Sequence, residues 1–107
     1  MADIPLFLLP RQATVEPYLG DSGTDDSYGP GVSVRCHLED QATLLGSGER
    51  QGETKLFCRL EHGPSFPLES RVTWRGRAGD RVGYVQAVAE HDDGGRGAWC
   101  HLEVVIR

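Results

Sequence analysis

The chain has 107 residues and a mass of 11.7 kDa, a length for one domain with no room for two compact ones. Hydrophobic residues at 38%, charged residues at 25%, and 14 Gly plus 6 Pro without a period read as a soluble, loop-rich all-β chain, against collagen and against a long helical bundle. With 16 acidic and 11 basic residues, net −5, the chain lacks the clustered Lys and Arg that wrap DNA by counterion release.

The basic residues are ten Arg and the single Lys55, scattered rather than blocked, a bias associated with GC-rich coding genomes. At this size folding buries about 65% of the extended chain's surface, enough for one modest core without disulfides or a structural metal. The longest apolar run, Leu6–Leu9, is bounded by Pro5 and Pro10. It falls far short of the ~20 residues of a membrane span and has no basic n-region or small-residue cleavage site. No Asn is present, so N-glycosylation is excluded. Three cysteines without an export signal point to reduced thiols in a reducing compartment.

In chain order, residues 1–10 form an apolar arm, and Ala13–Tyr18 alternates as a first strand around Val15. Gly20–Gly31 (GDSGTDDSYGPG) is rich in turn formers and acidic, which predicts a solvated, mobile loop. From Val32 the pattern is regular. Val32, Val34, Cys36 and Leu38 alternate with polar residues, the period of two of a half-buried antiparallel strand. Thr54–Leu60 repeats it, with Phe57 on the opposite face, and Val72–Trp74 makes a third regular run that ends at the Arg75–Gly76–Arg77 turn. Val82–Val88 follows, where Gly83 marks either a bulge or a close backbone approach. Cys100, Leu102, Val104 and Ile106 form the last strand. The expectation is a small antiparallel β-barrel or sandwich of six strands. Asp40–Gly52, thirteen residues, reads as a long loop, Glu61–Ser70 as a connection stiffened by Pro64 and Pro67, and Glu90–Gly97 as a hairpin-type loop.

Cys36–His37, Cys58 with His62, and Cys100–His101 suggest a zinc site at first sight. The cysteines lie twenty-two and forty-two residues apart on three strands, without C-x₂₋₄-C spacing. Each adjacent histidine must face away from its cysteine, so the thiols read as core hydrophobes and no metal or cofactor is expected. No nucleophile elbow, P-loop or dinucleotide fingerprint occurs, and Glu90, Asp92 and Asp93 read as a solvated acidic tip. The expectation is therefore a protein that is not an enzyme. Trp99 is placed on the outer face of the last strand, and Tyr18 and Tyr28 bracket the acidic loop. Such aromatics either cover a barrel end or contact another protein, and Leu44 and Leu45 in the long loop pose the same choice.

The order of features carries a resemblance. Leu8–Leu9–Pro10, Thr14–Val15–Glu16–Pro17–Tyr18–Leu19–Gly20–Asp21, Tyr28–Gly29–Pro30 and the strand through Arg35–Cys36 come first. Asp40–Gln41, Gly52–Glu53–Thr54, Ser70–Arg71–Val72 before Gly76, and His101–Leu102–Glu103–Val104 follow. Nearly the whole chain resembles the head-closure proteins, or head-to-tail stoppers, of long-tailed bacteriophages, in particular those of actinobacteria. The resemblance implies a β-barrel subunit in a homo-oligomeric ring of the virion, between the portal and adaptor and the tail terminator or tail tube, assembled in the host cytoplasm. The ring would line the exit channel for packaged double-stranded DNA without sequence-specific binding, and no catalytic residue or cofactor carries over.

It also implies that Gln41–Gly52 is the channel-facing loop, with Gln41, Leu44, Leu45, Gly46, Gly48, Arg50 and Gly52 as its gating residues. Phe7, Leu8, Tyr18, Tyr28 and Trp99 become subunit or neighbour contacts. Two other readings stay open: a tail-completion or other ring component of the same neck, and a monomeric barrel that binds a peptide along an edge strand.

Overall fold

The computed structural model describes residues 4–21, 26–44, 50–76, 79–91 and 99–107, with backbone alone at 21, 41–44, 50 and 51. The strands among them are β1 (Arg11–Glu16), β2 (Tyr18–Asp21), β3 (Asp26–Tyr28), β4 (Val32–Leu44), β5 (Arg50–Cys58), β6 (Arg71–Gly76), β7 (Gly79–His91) and β8 (His101–Ile106). Six of them close an antiparallel barrel in the order β1-β4-β5-β8-β7-β6, as the alternating runs predict. The ladder Ala13↔Trp74 to Glu16↔Arg71 shuts the cylinder.

The residues in the apolar phase of each strand fill the interior. Val15, Val34, Cys36, Leu56, Val72, Val85, Leu102 and Val104 have no solvent contact at all. The 3₁₀ helix Leu60–Ser65 replaces the irregular connection expected there, and Phe66 after it is buried in the core. Leu9, fully buried, ends the N-terminal 3₁₀ turn Leu6–Leu8. Of the two readings of Gly83, close approach is the one realised: a Cβ there would lie 2.4 Å from Ile106 Cγ2. The register shift in β7 falls between Val85 and Ala87 instead.

Two expectations are corrected. The first strand stops at Glu16, before Pro17, and the acidic segment is not simply a loop: β2 and β3 pair as a separate two-stranded ribbon, with residues 22–25 outside the described residues. Ser70, fully buried, fastens this ribbon by accepting the Tyr18 N–H at 2.9 Å while its hydroxyl donates to the Pro67 carbonyl at 2.6 Å. The second concerns Asp40–Gly52, whose arms are not loop but strand, since the β4–β5 ladder runs unbroken from His37↔Phe57 to Leu44↔Arg50. Gly52 and the polar residues around it hid this ladder from the sequence pattern.

Candidate functional site

The β4–β5 hairpin outgrows the barrel. β1 accompanies β4 only as far as Cys36, and β8 accompanies β5 only over Thr54–Cys58. Gln41–Leu44 and Arg50–Glu53 therefore stand as a two-stranded ribbon with no third strand beside it among the described residues. Four residues of strand carry it roughly 13 Å beyond that point. Gln41, Leu44 and Arg50 lie in its arms, Gly52 is exposed on β5, and Leu45, Gly46 and Gly48 fall outside the described residues.

Its base is pinned across the barrel mouth. Asp40 accepts from the Thr54 hydroxyl at 2.7 Å and from Arg81 of β7 at 2.8 Å, and the Arg81 guanidinium lies 5.2 Å from the centre of the Trp74 ring. Arg107 Nη2 reaches Glu53 Oε2 at 3.3 Å on the neighbouring arm. Side chains of β4, β5 and β7, with Arg107 just after β8, thus hold the root of the ribbon in addition to the ladders.

On the outer face of β4, β5 and β8, alternation produces a second feature. Turning Cys36, Cys58 and Cys100 inward turns His37, Phe57 and His101 outward. The Phe57 ring lies 6.0 Å from His37 and 5.8 Å from His101, and His101 stacks on His91 of β7 at 4.8 Å. The N-terminal arm crosses this row. The Ile4 amide donates to the Cys100 carbonyl at 3.2 Å, and the Ile4 carbonyl accepts from Arg59 at 3.0 Å. Arg35 donates to the Leu9 and Leu6 carbonyls at 3.3 and 3.2 Å. Between arm and sheet runs an open groove of about 320 Å³, lined by Ile4, Leu8, His37, Glu39, Phe57 and His101.

His101 Nδ1 lies 2.8 Å from the Trp99 carbonyl, which can only accept, so that nitrogen carries a proton. His37 Nε2 meets Glu39 Oε1 at 3.3 Å. Glu103 is held below the usual carboxylate range by its hydrogen bond with His91 and, after that, by Lys55 at 3.4 Å. Burial pushes the thiols of Cys36 and Cys58 up to about 11 and about 12, so both are protonated near neutrality and are poor nucleophiles. Among the described residues no three His, Cys, Asp or Glu side chains converge to hold a metal ion. The groove has the chemistry of a binding surface: apolar walls, an aromatic floor and two imidazoles, with the Glu39 carboxylate beside them.

Phe7, Leu8 and Trp99 are exposed, Phe7 to 77%. Tyr18 and Tyr28 instead pack edge to face at 5.8 Å, and Arg71, which donates to Glu16 from Nε at 3.0 Å and from Nη2 at 2.8 Å, lies 4.6 Å from the centre of the Tyr28 ring. The histidine row was not legible in the sequence, because its members come from three distant strands and only the register joins them. His–Cys adjacency in two apolar strands was the available signal, read outward instead of inward. No family model, curated protein or solved structure matches the chain. No helix among the described residues is long and apolar enough to cross a membrane.

Proposed function

We propose that this chain is a structural subunit of a bacteriophage neck, assembled as a ring between the portal and adaptor and the tail. The observation that supports this reading most is the two-stranded ribbon of residues 41–44 and 50–53, which has no third strand beside it among the described residues, at the place in the chain where the resemblance puts a channel loop. A barrel whose mouth is cross-braced by Asp40 and Arg81 is a stiff mount for such a ribbon. Arranged around an axis, ribbons of this reach narrow a passage on the scale of a duplex, and a subunit of net charge −5 lets DNA slide past instead of gripping it. Exposed Phe7, Leu8 and Trp99 serve contacts with ring neighbours or with the adaptor and tail.

The test replaces residues 42–50 by a two-residue turn in the phage. Heads carrying the variant should contain the ring and lose DNA before tails attach. Heads that retain DNA as wild type does would remove the gating role and leave the ribbon as a docking element. The second reading, a monomeric adaptor that takes a peptide along a strand edge, is favoured by the edges of β4 and β7 that have no strand beside them among the described residues, and predicts a chain absent from virions.

A further inference from the structure

Each thirteen-residue strand changes partner halfway. β4 pairs with β1 through Cys36 and with β5 from His37, while β7 pairs with β6 through Tyr84 and with β8 from Val85. The halves His37–Leu44 and Gln86–His91 are therefore the two outer strands of a four-stranded sheet in the order β4-β5-β8-β7. Among the described residues neither has a strand on its outer side.

Monomeric proteins guard such edges with charged residues, Lys above all, with Pro, with inward-pointing charge or with a bulge, and here the register shift between Val85 and Ala87 sets one such guard at the start of the β7 edge only. The segments HLEDQATL and QAVAEH contain neither Lys nor Pro. The exposed carboxylate of Asp40 is occupied by Arg81, and Glu90, opposite Leu102, sits near the end of its edge. Gln86–His91 is solvent-exposed at every position.

Exposed apolar side chains gather beside the same two edges. Val82, Tyr84 and Val88 lie on β7, while Leu6, Phe7 and Leu8 belong to the arm that Arg35 straps to β4. Direction decides how the edges meet. Across three antiparallel steps β4 and β7 run oppositely, so in copies related by a modest rotation β7 of one meets β4 of the next as an antiparallel pair. A two-fold pairing of β7 with β7 would leave the β4 edge and the arm uncovered.

We propose that the partner of these edges is a second copy of this chain, joined head to tail, with Gln86–His91 of one copy pairing antiparallel with His37–Leu44 of the next. The sheets then run on from copy to copy, and the contact is heterologous, the type that closes into a ring. This deepens the neck-ring reading and rests on it for the rotation that closes the assembly.

The test uses the full chain. Sedimentation velocity over a concentration series should show a reversible oligomer series for wild type. Ala87→Lys with Ala89→Lys, both on exposed strand positions, should keep the circular dichroism and melting of wild type and weaken self-association at least tenfold. Ala87→Cys combined with either His37→Cys or Glu39→Cys should give, in at least one combination under mild oxidation, a ladder of disulfide-linked multimers. Ala87→Cys alone and wild type should give none. A wild-type chain that stays monomeric at millimolar concentration, association indifferent to the paired lysines, or a dimer from Ala87→Cys alone would each overturn the proposal. Particles that contain the chain and keep their DNA, yet yield no edge cross-links, would sink the edge pairing and spare the neck reading. Cross-linked multimers of a chain absent from particles would do the reverse.

Discussion

Glu69 is the one non-glycine with a positive φ among the described residues, at 73°. It is the third residue of the turn closed by Ser70 N–H donating to the Pro67 carbonyl at 3.1 Å, a position that glycine fills without steric cost. Glu69→Gly should therefore raise stability by about 0.5–1 kcal/mol in denaturant titration, the relief of the left-handed backbone exceeding the added freedom of the unfolded chain. Gly83 is the opposite case, a site that only the smallest residue fits. Gly83→Ala drives a methyl into Ile106 and should cost about 1–3 kcal/mol. Combining it with Ile106→Ala should recover part of that loss, because the two effects share one volume. Strict additivity would show that the backbone, not Ile106, limits the site. Ser70→Ala removes the acceptor of the Tyr18 amide and should cost about 1–3 kcal/mol.

At the level of elements, the β4–β5 ribbon and the barrel are separable. The ladder from His37↔Phe57 to Asp40↔Thr54 and the Asp40–Arg81 brace lie below the ribbon. Shortening residues 42–50 should accordingly change the melting temperature little, by differential scanning calorimetry, while removing the reach on which the proposed channel narrowing depends. A variant that unfolds would mean the ribbon supports the barrel. The barrel strands were legible because alternation survives wherever one face is buried: Val34 and Cys36, Leu56 and Cys58, and Leu102, Val104 and Ile106 all point inward. The ribbon was not legible for the same reason. Beyond Asp40 the two strands have no third strand beside them among the described residues, and their Gly and polar residues, without a period of two, read as loop. The β2–β3 ribbon escaped likewise, held as it is by Tyr18–Tyr28 packing and the Ser70 anchor. The sequence view of the cysteines as core residues agrees with their burial, while the histidine groove beside them needed the register of four strands.

Across the whole molecule, titrating groups bound the pH range of stability from both sides. Glu16, through its hydrogen bonds from Arg71, and Glu103, through its hydrogen bond with His91, have folded pKa values below the ordinary carboxylate value. Their contribution is fully present above that ordinary value and is lost as pH falls through the folded values. Cys36 and Cys58 have the reverse sign. Burial lifts them from 9.0 to about 11 and about 12, so the unfolded chain releases these protons first. Their contribution is intact below 9 and declines as pH rises from there towards the folded values. A plateau in the neutral range with two sloping limbs is the expected profile of denaturant midpoint against pH. Glu103→Gln should flatten the acid limb and leave the alkaline one. Cys58→Ala should lower the plateau by an amount of order 1 kcal/mol, since the side chain lost is small. It should also make the alkaline limb shallower, because one of the protons released on unfolding is gone. The slope is the discriminating quantity, since every other group that titrates in alkali is common to both chains. An alkaline limb in Cys58→Ala parallel to that of wild type would mean that the thiol ionises with equal ease folded and unfolded, and that the barrel interior around Cys58 admits water.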